Sequence, residues 1–400
     1  MEKSEELMRV AQRMDDIPFS GIRKIFEEVS RRETNGEQII HLEIGRPDFD
    51  TPERIKAKAH WALDQGRVHY SSNYGIPELR EAIVRKLGRD NGLEFEPDNE
   101  VIVTIGANEA VFITMMALLN PGDEVLIPEP CWPHYFYCAH LAGAKPVPVP
   151  LRPDNNFQPD PDDFYRQATP QTRMMVVNSP HNPTGAVFSR DAMEGLAQLA
   201  CRKNLFVLSD EIYEKMIYES AVHHSIGALP GMRDRTVTVN GLSKIYAMTG
   251  WRLGYMAAPS ELIDAMIRVH QYTTVCAATF AQWGAVEALD GPQSDAHEMV
   301  QEFDRRRRLI CENLTAINGV DLVVPQGAFY VFPHVGDLMK DTNELSWYLL
   351  DEARVALVPG EVFGNSGHEF IRISYANSYQ NLERGMKRIA DALAKLQKTH

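Results

Sequence analysis

The stretch "TVTVNGLSKIYAMTGWRLGY", residues 236–255, decides the reading of the fold. It opens on a β-branched alternation, 236–239, of strand composition, and runs through a small-residue turn to Lys244. Arg252 comes after a Gly-Trp pair, and a second strand-like run begins at Tyr255. An ammonium beside a buried strand is expensive, so a lysine placed there needs a reason. Outward from this stretch the same grammar repeats. Apolar runs of strand length fall at 101–105, 125–127, 174–177, 206–208 and 255–257, with helical patterns such as 110–119 and 192–202 between several of them. That alternation predicts βαβ crossovers and an α/β fold, a mostly parallel sheet between helices. "AKPVPVPL" (144–151) predicts an edge strand, because proline cannot donate to a central ladder.

From about residue 285 the texture changes. A helical pattern over 280–318, a hairpin-like "GAFYVFP" (327–333), a further helix and a strand in "EFIRISYA" (369–376) predict a smaller α+β unit. "SGIRKIFEEVSRR" (20–32) reads as a helix that packs with that unit. The expected division is an N-terminal segment 1–45, a large domain 46–285 and a small C-terminal domain 286–400. The arginine run 305–308, with Glu302 and Glu312 at helical spacing, reads as a solvated, charge-paired face.

Composition excludes several classes of function. With 41 Lys and Arg against 55 Asp and Glu, the formal charge of −14 argues against an extended nucleic-acid footprint and against adhesion to anionic membrane. The start, "MEKSEELMRVAQRMDD", is charged and does not read as a signal peptide, and no apolar run approaches membrane-spanning length. Five cysteines without a CxxC predict free thiols in a reducing cytoplasm, and no metal centre is expected. His223 and His224, adjacent and without ligand-spaced companions, read as ordinary loop residues.

The chemistry lies just past the strands. "VIVTIGANEA" (101–110) ends in Gly106, Ala107 and Asn108 and opens a helix; "NSPHNPTG" (178–185) holds Asn182; "SDEIYE" (209–214) delivers Asp210 and Tyr213; the stretch 236–255 delivers Ser243 and Lys244. In a parallel sheet the carboxyl ends of the strands share one crevice, so these groups are expected to converge. A helix N-terminus of small residues suits phosphate, and Ser243 and Arg252 add a hydroxyl and a forked cation. Asp210, costly at the end of an apolar strand, suits a protonated ring nitrogen, although it could instead cap "EIYEKM". Asn182 and Tyr213 suit a phenolic oxygen, and a desolvated Lys244 suits an aldehyde. Together these describe pyridoxal 5′-phosphate.

On these residues the chain resembles the class I/II aminotransferases, which are fold type I pyridoxal-phosphate enzymes. The resemblance rests on "GRPDFDTP", "HYSSNYGIPELREAI", "NSPHNPTG", "SDEIYE", "SKIYAMTGWRLGY", "GAFYVFP", "VPGEVFG" and "IRISYA", in family order along nearly the whole chain. It implies a homodimer with shared active sites, acting on an amino acid and a 2-oxo acid. It implies that Lys244 bonds the cofactor and shuttles the proton, that Asp210 faces the ring nitrogen, and that Asn182 and Tyr213 hold the phenolic oxygen. Gly106, Ala107, Asn108, Ser243 and Arg252 would surround the phosphate, with Tyr70 reaching it from the other subunit. Trp132 would stack on the ring. Arg372, with Asn182 and the Gly45 backbone, would grip the substrate α-carboxylate.

The implied activity is ping-pong transfer from an acidic or aromatic L-amino acid to a 2-oxo acid such as 2-oxoglutarate. The alternative is another reaction on the same scaffold, a carbon–sulfur lyase or an oxidase; more remote is a non-catalytic regulatory module. Two positions depart from the family pattern. Arg46 stands where many relatives carry glutamate, and Asn108 stands where a bacterial aspartate-specific branch carries lysine. Strict aspartate specificity is therefore not implied.

Overall fold

The structure is a computed structural model that describes residues 10–399; the first nine residues, on which the reading of the chain's start partly rests, and His400 lie outside the described residues. In chain order the elements are α1 (Gly21–Thr34), β1 (Ile40–His41), α2 (Glu53–Asp64), α3 (Pro77–Asn91), β2 (Val101–Thr104), α4 (Ala107–Leu118), β3 (Glu124–Glu129), α5 (His134–Leu141) and β4 (Lys145–Pro150). They continue with α6 (Pro161–Gln167), β5 (Thr172–Asn178), α7 (Arg190–Lys203), β6 (Phe206–Asp210), β7 (Thr236–Gly241), β8 (Gly254–Ala257), α8 (Ser260–Thr273) and α9 (Thr279–Asp290). The remainder is α10 (Ser294–Thr315), β9 (Tyr330–Val331), α11 (Thr342–Glu352), β10 (Val355–Ala356), β11 (Val358–Pro359), β12 (Ile371–Ser374) and α12 (Tyr379–Thr399).

Seven strands form one sheet in the order β2-β8-β7-β6-β5-β3-β4. Six run parallel, and β8 alone is antiparallel to both of its neighbours. All of β7 and most of β5 and β6 are buried, which is why these segments read as apolar runs: helices cover both faces. Each buried valine or leucine there contributes about 1.5–3 kcal/mol. The proline-rich β4 does lie at the sheet edge, with Lys145 opposite Glu124 and bonded to it at 3.0 Å. Local signals set the helix ends. Ser189 caps α7 by accepting from the Ala192 N–H, Pro77 opens α3, and Gly92 closes it at φ +66°.

The reversed strand shapes the carboxyl edge of the sheet. Because β8 runs against β7 and β2, its beginning lies at the same sheet edge as their carboxyl ends, with Thr104 paired to Gly254. Arg252, just before β8, is thereby delivered beside Gly106, just after β2.

Beyond this sheet, β11, β12 and β9 form a small antiparallel sheet, and β1 pairs with β10 in parallel, joining the two ends of the chain. Three expectations need correction. The helical pattern over 280–318 is two helices, α9 and α10, broken at Gly291-Pro292, because proline lacks the N–H and disfavours helical geometry before it. "GAFYVFP" is not a hairpin: β9 pairs with β12, about forty residues on. The arginine run is only half solvated. Arg305 and Arg308 are exposed, whereas Arg306 is buried against Asp48 and Glu302, and Arg307 against Glu219 and Asp304. Among the described residues, no helix is long and apolar enough to cross a membrane.

Candidate active site

The carboxyl edge of the large sheet borders a cavity of about 470 Å³. Asn178 ends β5, Asp210 ends β6 directly opposite it, and Lys244 lies three residues past the end of β7. Ala107 and Asn108 begin α4, and Arg372 projects from β12 on the small sheet. The cavity is lined by Gly45, Ala107, Asn108, Trp132, Asn182, Asp210, Tyr213, Ser243, Lys244, Arg252 and Arg372, so the structure brings together these sequence-predicted residues. Tyr70 is elsewhere, 87% exposed and not on this cavity.

Burial governs the charges here. Asp210 is buried, which raises its carboxyl to about 6; the Tyr135 hydroxyl, donating to Oδ2 at 2.7 Å, and the Ile212 N–H, donating to Oδ1 at 3.1 Å, oppose the rise. The second bond closes a turn; the rival role of capping a helix over "EIYEKM" is not realised, because that segment forms turns rather than a helix. Lys244 is lowered to about 8 by burial and by the nearby Arg372, with Asp210 opposing. Its Nζ donates to the Gly45 carbonyl at 2.6 Å. Arg372 is fully buried without a carboxylate. It donates to Asn182 Oδ1 at 3.1 Å and to the Glu43 carbonyl at 2.6 Å, its Nε has no partner, and it lies 4.5 Å from the Tyr330 ring.

Gly106, the N-cap of α4, has φ +78°, and a Cβ there would stand 2.6 Å from Arg252 Nη2. A Cβ on Gly254 would stand 2.6 Å from the Ala107 nitrogen. These two glycines let a guanidinium, a helix N-terminus and a strand start converge, which is a cradle for a dianionic phosphate. Among the described residues, the Arg252 side chain donates only to the carbonyls of Thr249 and Ile105. Pyridoxal phosphate fits this set on three observations: the glycine cradle, a buried carboxylate with no cation bonded to it among the described residues, and a half-buried amine lowered to about 8.

Several lining residues were not singled out from sequence. Tyr330 bonds the Tyr213 hydroxyl at 2.8 Å, Tyr135 bonds Asp210, and Asn178 donates to the Asp210 carbonyl at 3.0 Å and accepts from the Asn182 N–H. Ile22, Arg23, Ile212 and Thr249 also line the cavity, as does Arg46. Tyr135 and Asn178 lay within reach of quoted motifs, one three residues past Trp132 and the other opening "NSPHNPTG". Trp132 is half-buried, with the His134 ring 4.6 Å away. His223, read as a loop residue, sits 3.1 Å from Glu211 in a buried cluster behind the site.

Comparison with known proteins agrees with this geometry. The model of the family "Aminotransferase class I and II" matches residues 37–389. The chain is 44% identical over 388 residues to the aspartate aminotransferase of Pyrococcus abyssi, covering 96% of this chain and 98% of that one. It is 42% identical over 388 residues to aromatic-amino-acid aminotransferase 2 of Thermococcus litoralis, with 96% and 98% covered. Among solved structures, the aspartate aminotransferase of Thermus thermophilus with maleate matches at a TM-score of 0.92 and 40% identity, over 96% of this chain and 100% of that one. These likenesses support transamination over the lyase and oxidase alternatives. The chain therefore belongs to the class I and II aminotransferases, and it is a pyridoxal-phosphate-dependent transferase of amino groups.

Proposed function

We propose that the cavity transfers the amino group of an acidic or aromatic L-amino acid to a 2-oxo acid such as 2-oxoglutarate, with Lys244, Asp210 and Tyr213 as the catalytic residues. When bound, the cofactor supplies an aldehyde for an amine and a cationic ring that draws in the electrons left when Cα loses its proton. Lys244 Nζ, lowered to about 8, would hold the cofactor through its aldehyde and would take up the proton that leaves Cα. Asp210 would hold the proton on the ring nitrogen, and Tyr213 and Asn182 would donate to the ring oxygen. Arg252, Ser243 and the N–H groups at Gly106, Ala107 and Asn108 would hold the phosphate, while Trp132 would cover the ring. Arg372, with Asn182 and the Gly45 backbone, orients the α-carboxylate so that proton loss is favoured over loss of carbon dioxide.

One observation carries this reading: a half-buried amine, a buried acid and a buried guanidinium face one cavity, and none of them forms an ion pair among the described residues. The aspartate and aromatic activities named for relatives support the donor class. Tyr70, exposed here, is assigned to the phosphate of a second subunit; exposed Tyr272, Phe280 and Leu63 support a homodimer. Free cysteines support a cytoplasmic setting. The division at about 45 and 285 is part of the same proposal, supported by small sheets that draw strands from both chain ends. The test is a panel of amino donors added without acceptor, read by cofactor absorbance and by borohydride trapping at rest. Acidic or aromatic donors are expected to react fastest, with the trapped label on Lys244. Release of carbon dioxide, or a label on another lysine, would refute the reading.

A further inference from the structure

Behind Arg372 lies a buried acid that the proposed reaction does not use. Glu43 is 0% exposed, in the segment that runs from β1 to Gly45. That segment is seated against β12 and the residues after it. The Ser374 N–H donates to the Leu42 carbonyl at 2.8 Å, Asn377 Nδ2 to the His41 carbonyl at 2.9 Å, and Arg372 Nη2 to the Glu43 carbonyl at 2.6 Å. The side chain of Glu43 has one partner among the described residues, His41, whose Nδ1 lies 2.7 Å from Oε1. The other ring nitrogen, His41 Nε2, lies 3.0 Å from Glu33 Oε1. Only the doubly protonated ring donates to both carboxylates, and the bond to Glu43 raises His41 to about 9 against the opposing effect of burial. At neutral pH the ring is therefore an imidazolium. Among the described residues, Glu43 Oε2 and Arg372 Nε are both buried without a partner. The charge of Glu43 acts on the guanidinium, although the two side chains form no ion pair.

We infer that His41 is a positioning residue for substrate binding: it holds the Glu43 carboxylate off Arg372, so that the guanidinium stays open to a substrate carboxylate. The inference rests on the proposed reading that Arg372 takes the α-carboxylate. A buried carboxylate without a cation is costly, and opposite charges enclosed away from water attract strongly. Glu43 deprived of His41 has Arg372 as the buried cation to turn to, and a substrate would then have to displace it. With His41 in place, Glu43 contributes only its field, which favours the charged guanidinium in the empty cavity. The forked face of the arginine is left to the ligand.

The test uses the cofactor-loaded enzyme and a carboxylate without an amine, maleate or 3-phenylpropionate, whichever the unaltered enzyme binds more tightly by calorimetric titration. His41→Gln is expected to weaken binding by about tenfold to a hundredfold, the weight of one charge-assisted contact. Glu43→Gln, which removes the competing charge, is expected to bind at least as tightly as the unaltered enzyme. The double variant, His41→Gln with Glu43→Gln, should bind like Glu43→Gln alone, a recovery that a merely structural role for His41 would not give. Arg372→Leu separates the two readings: undiminished binding in that variant would remove the α-carboxylate reading and this inference with it. If Arg372→Leu weakens binding but His41→Gln does not, or if the double variant stays as weak as His41→Gln, the inference falls and the reading stands. Should His41→Gln fail to fold, Glu43→Gln decides alone, and weaker binding in that variant overturns the inference.

Discussion

Asp210 and Glu211 are neighbours in sequence, both buried, and their surroundings move them in opposite directions. Burial lifts Asp210 to about 6 against only a tyrosine hydroxyl and one N–H. Burial also acts on Glu211, but His223 and the hydroxyls of Ser225 and Ser209 outweigh it and hold that carboxyl below its ordinary value. The contrast extends to their two regions. Behind the sheet edge, Glu211 and Glu214 meet Asn91 at 2.8 and 2.6 Å, and Lys86 bonds both Glu214 and Asn91. Glu211, Glu214 and His223 come close to one another, and each carboxylate already has a partner, Lys86 for Glu214 and His223 for Glu211. In the cavity, Asp210, Lys244 and Arg372 have no ion-pair partner among the described residues. The lesson is that this chain neutralises the buried charges behind the sheet edge internally and leaves those on the cavity, to which the proposal gives a ligand, without an internal partner among the described residues.

That contrast can be broken at either end. The largest effect is expected from Lys244→Ala, which should lower transamination by about 10⁴-fold or more, since it removes the amine proposed both to bond the cofactor and to carry the proton. Single-turnover rates check it, and fold should be preserved by circular dichroism. On the structural side, Lys86→Met should destabilise the protein by about 3–5 kcal/mol, because Glu214 is left buried and unpaired. Denaturant midpoints measure this, and little change would mean that water reaches the cluster. Arg372→Leu should weaken binding of every amino donor by about 2–4 kcal/mol in kcat/KM while costing little in stability, since no carboxylate is left orphaned. A smaller effect concerns pH. Lys244, lowered to about 8, loses its proton as pH rises through that value, so the rate of cofactor uptake by cofactor-free protein should climb through pH 8 and level above it.

Much of this was legible in the sequence where covalent neighbours fix geometry. Asp210, Asn182 and Lys244 come after strands that end at one sheet edge, so a strand reading places them without further knowledge. Arg252 and Gly106 needed one more fact, the reversal of β8, which an apolar run cannot reveal because strand direction leaves no periodic mark. Tyr330 and Arg372 come from short strands of the small sheet whose pairing is non-local; strand alternation marked Arg372 as buried, and the family resemblance alone gave it a role. Tyr135 was hidden for another reason: on α5 the choice between facing the core and facing the cavity is made by tertiary packing. The break at Gly291-Pro292 was written in the sequence, but the apolar pattern on either side concealed it.

The most direct test compares Asp210→Asn with Glu211→Gln in cofactor-free protein between pH 4 and 8. A carboxyl raised from 3.8 to about 6 in the fold leaves stability intact below about pH 4 and removes it as pH rises through 6. Asp210→Asn should therefore gain about 1–3 kcal/mol at pH 7.5 and flatten that slope, even as cofactor affinity falls. Glu211→Gln should lose about 1–3 kcal/mol at the same pH, since its lowered carboxyl contributes stability that disappears only in acid. Opposite signs are the expected result; a loss of stability in both variants would contradict the division between charges answered by the chain and charges left to the ligand.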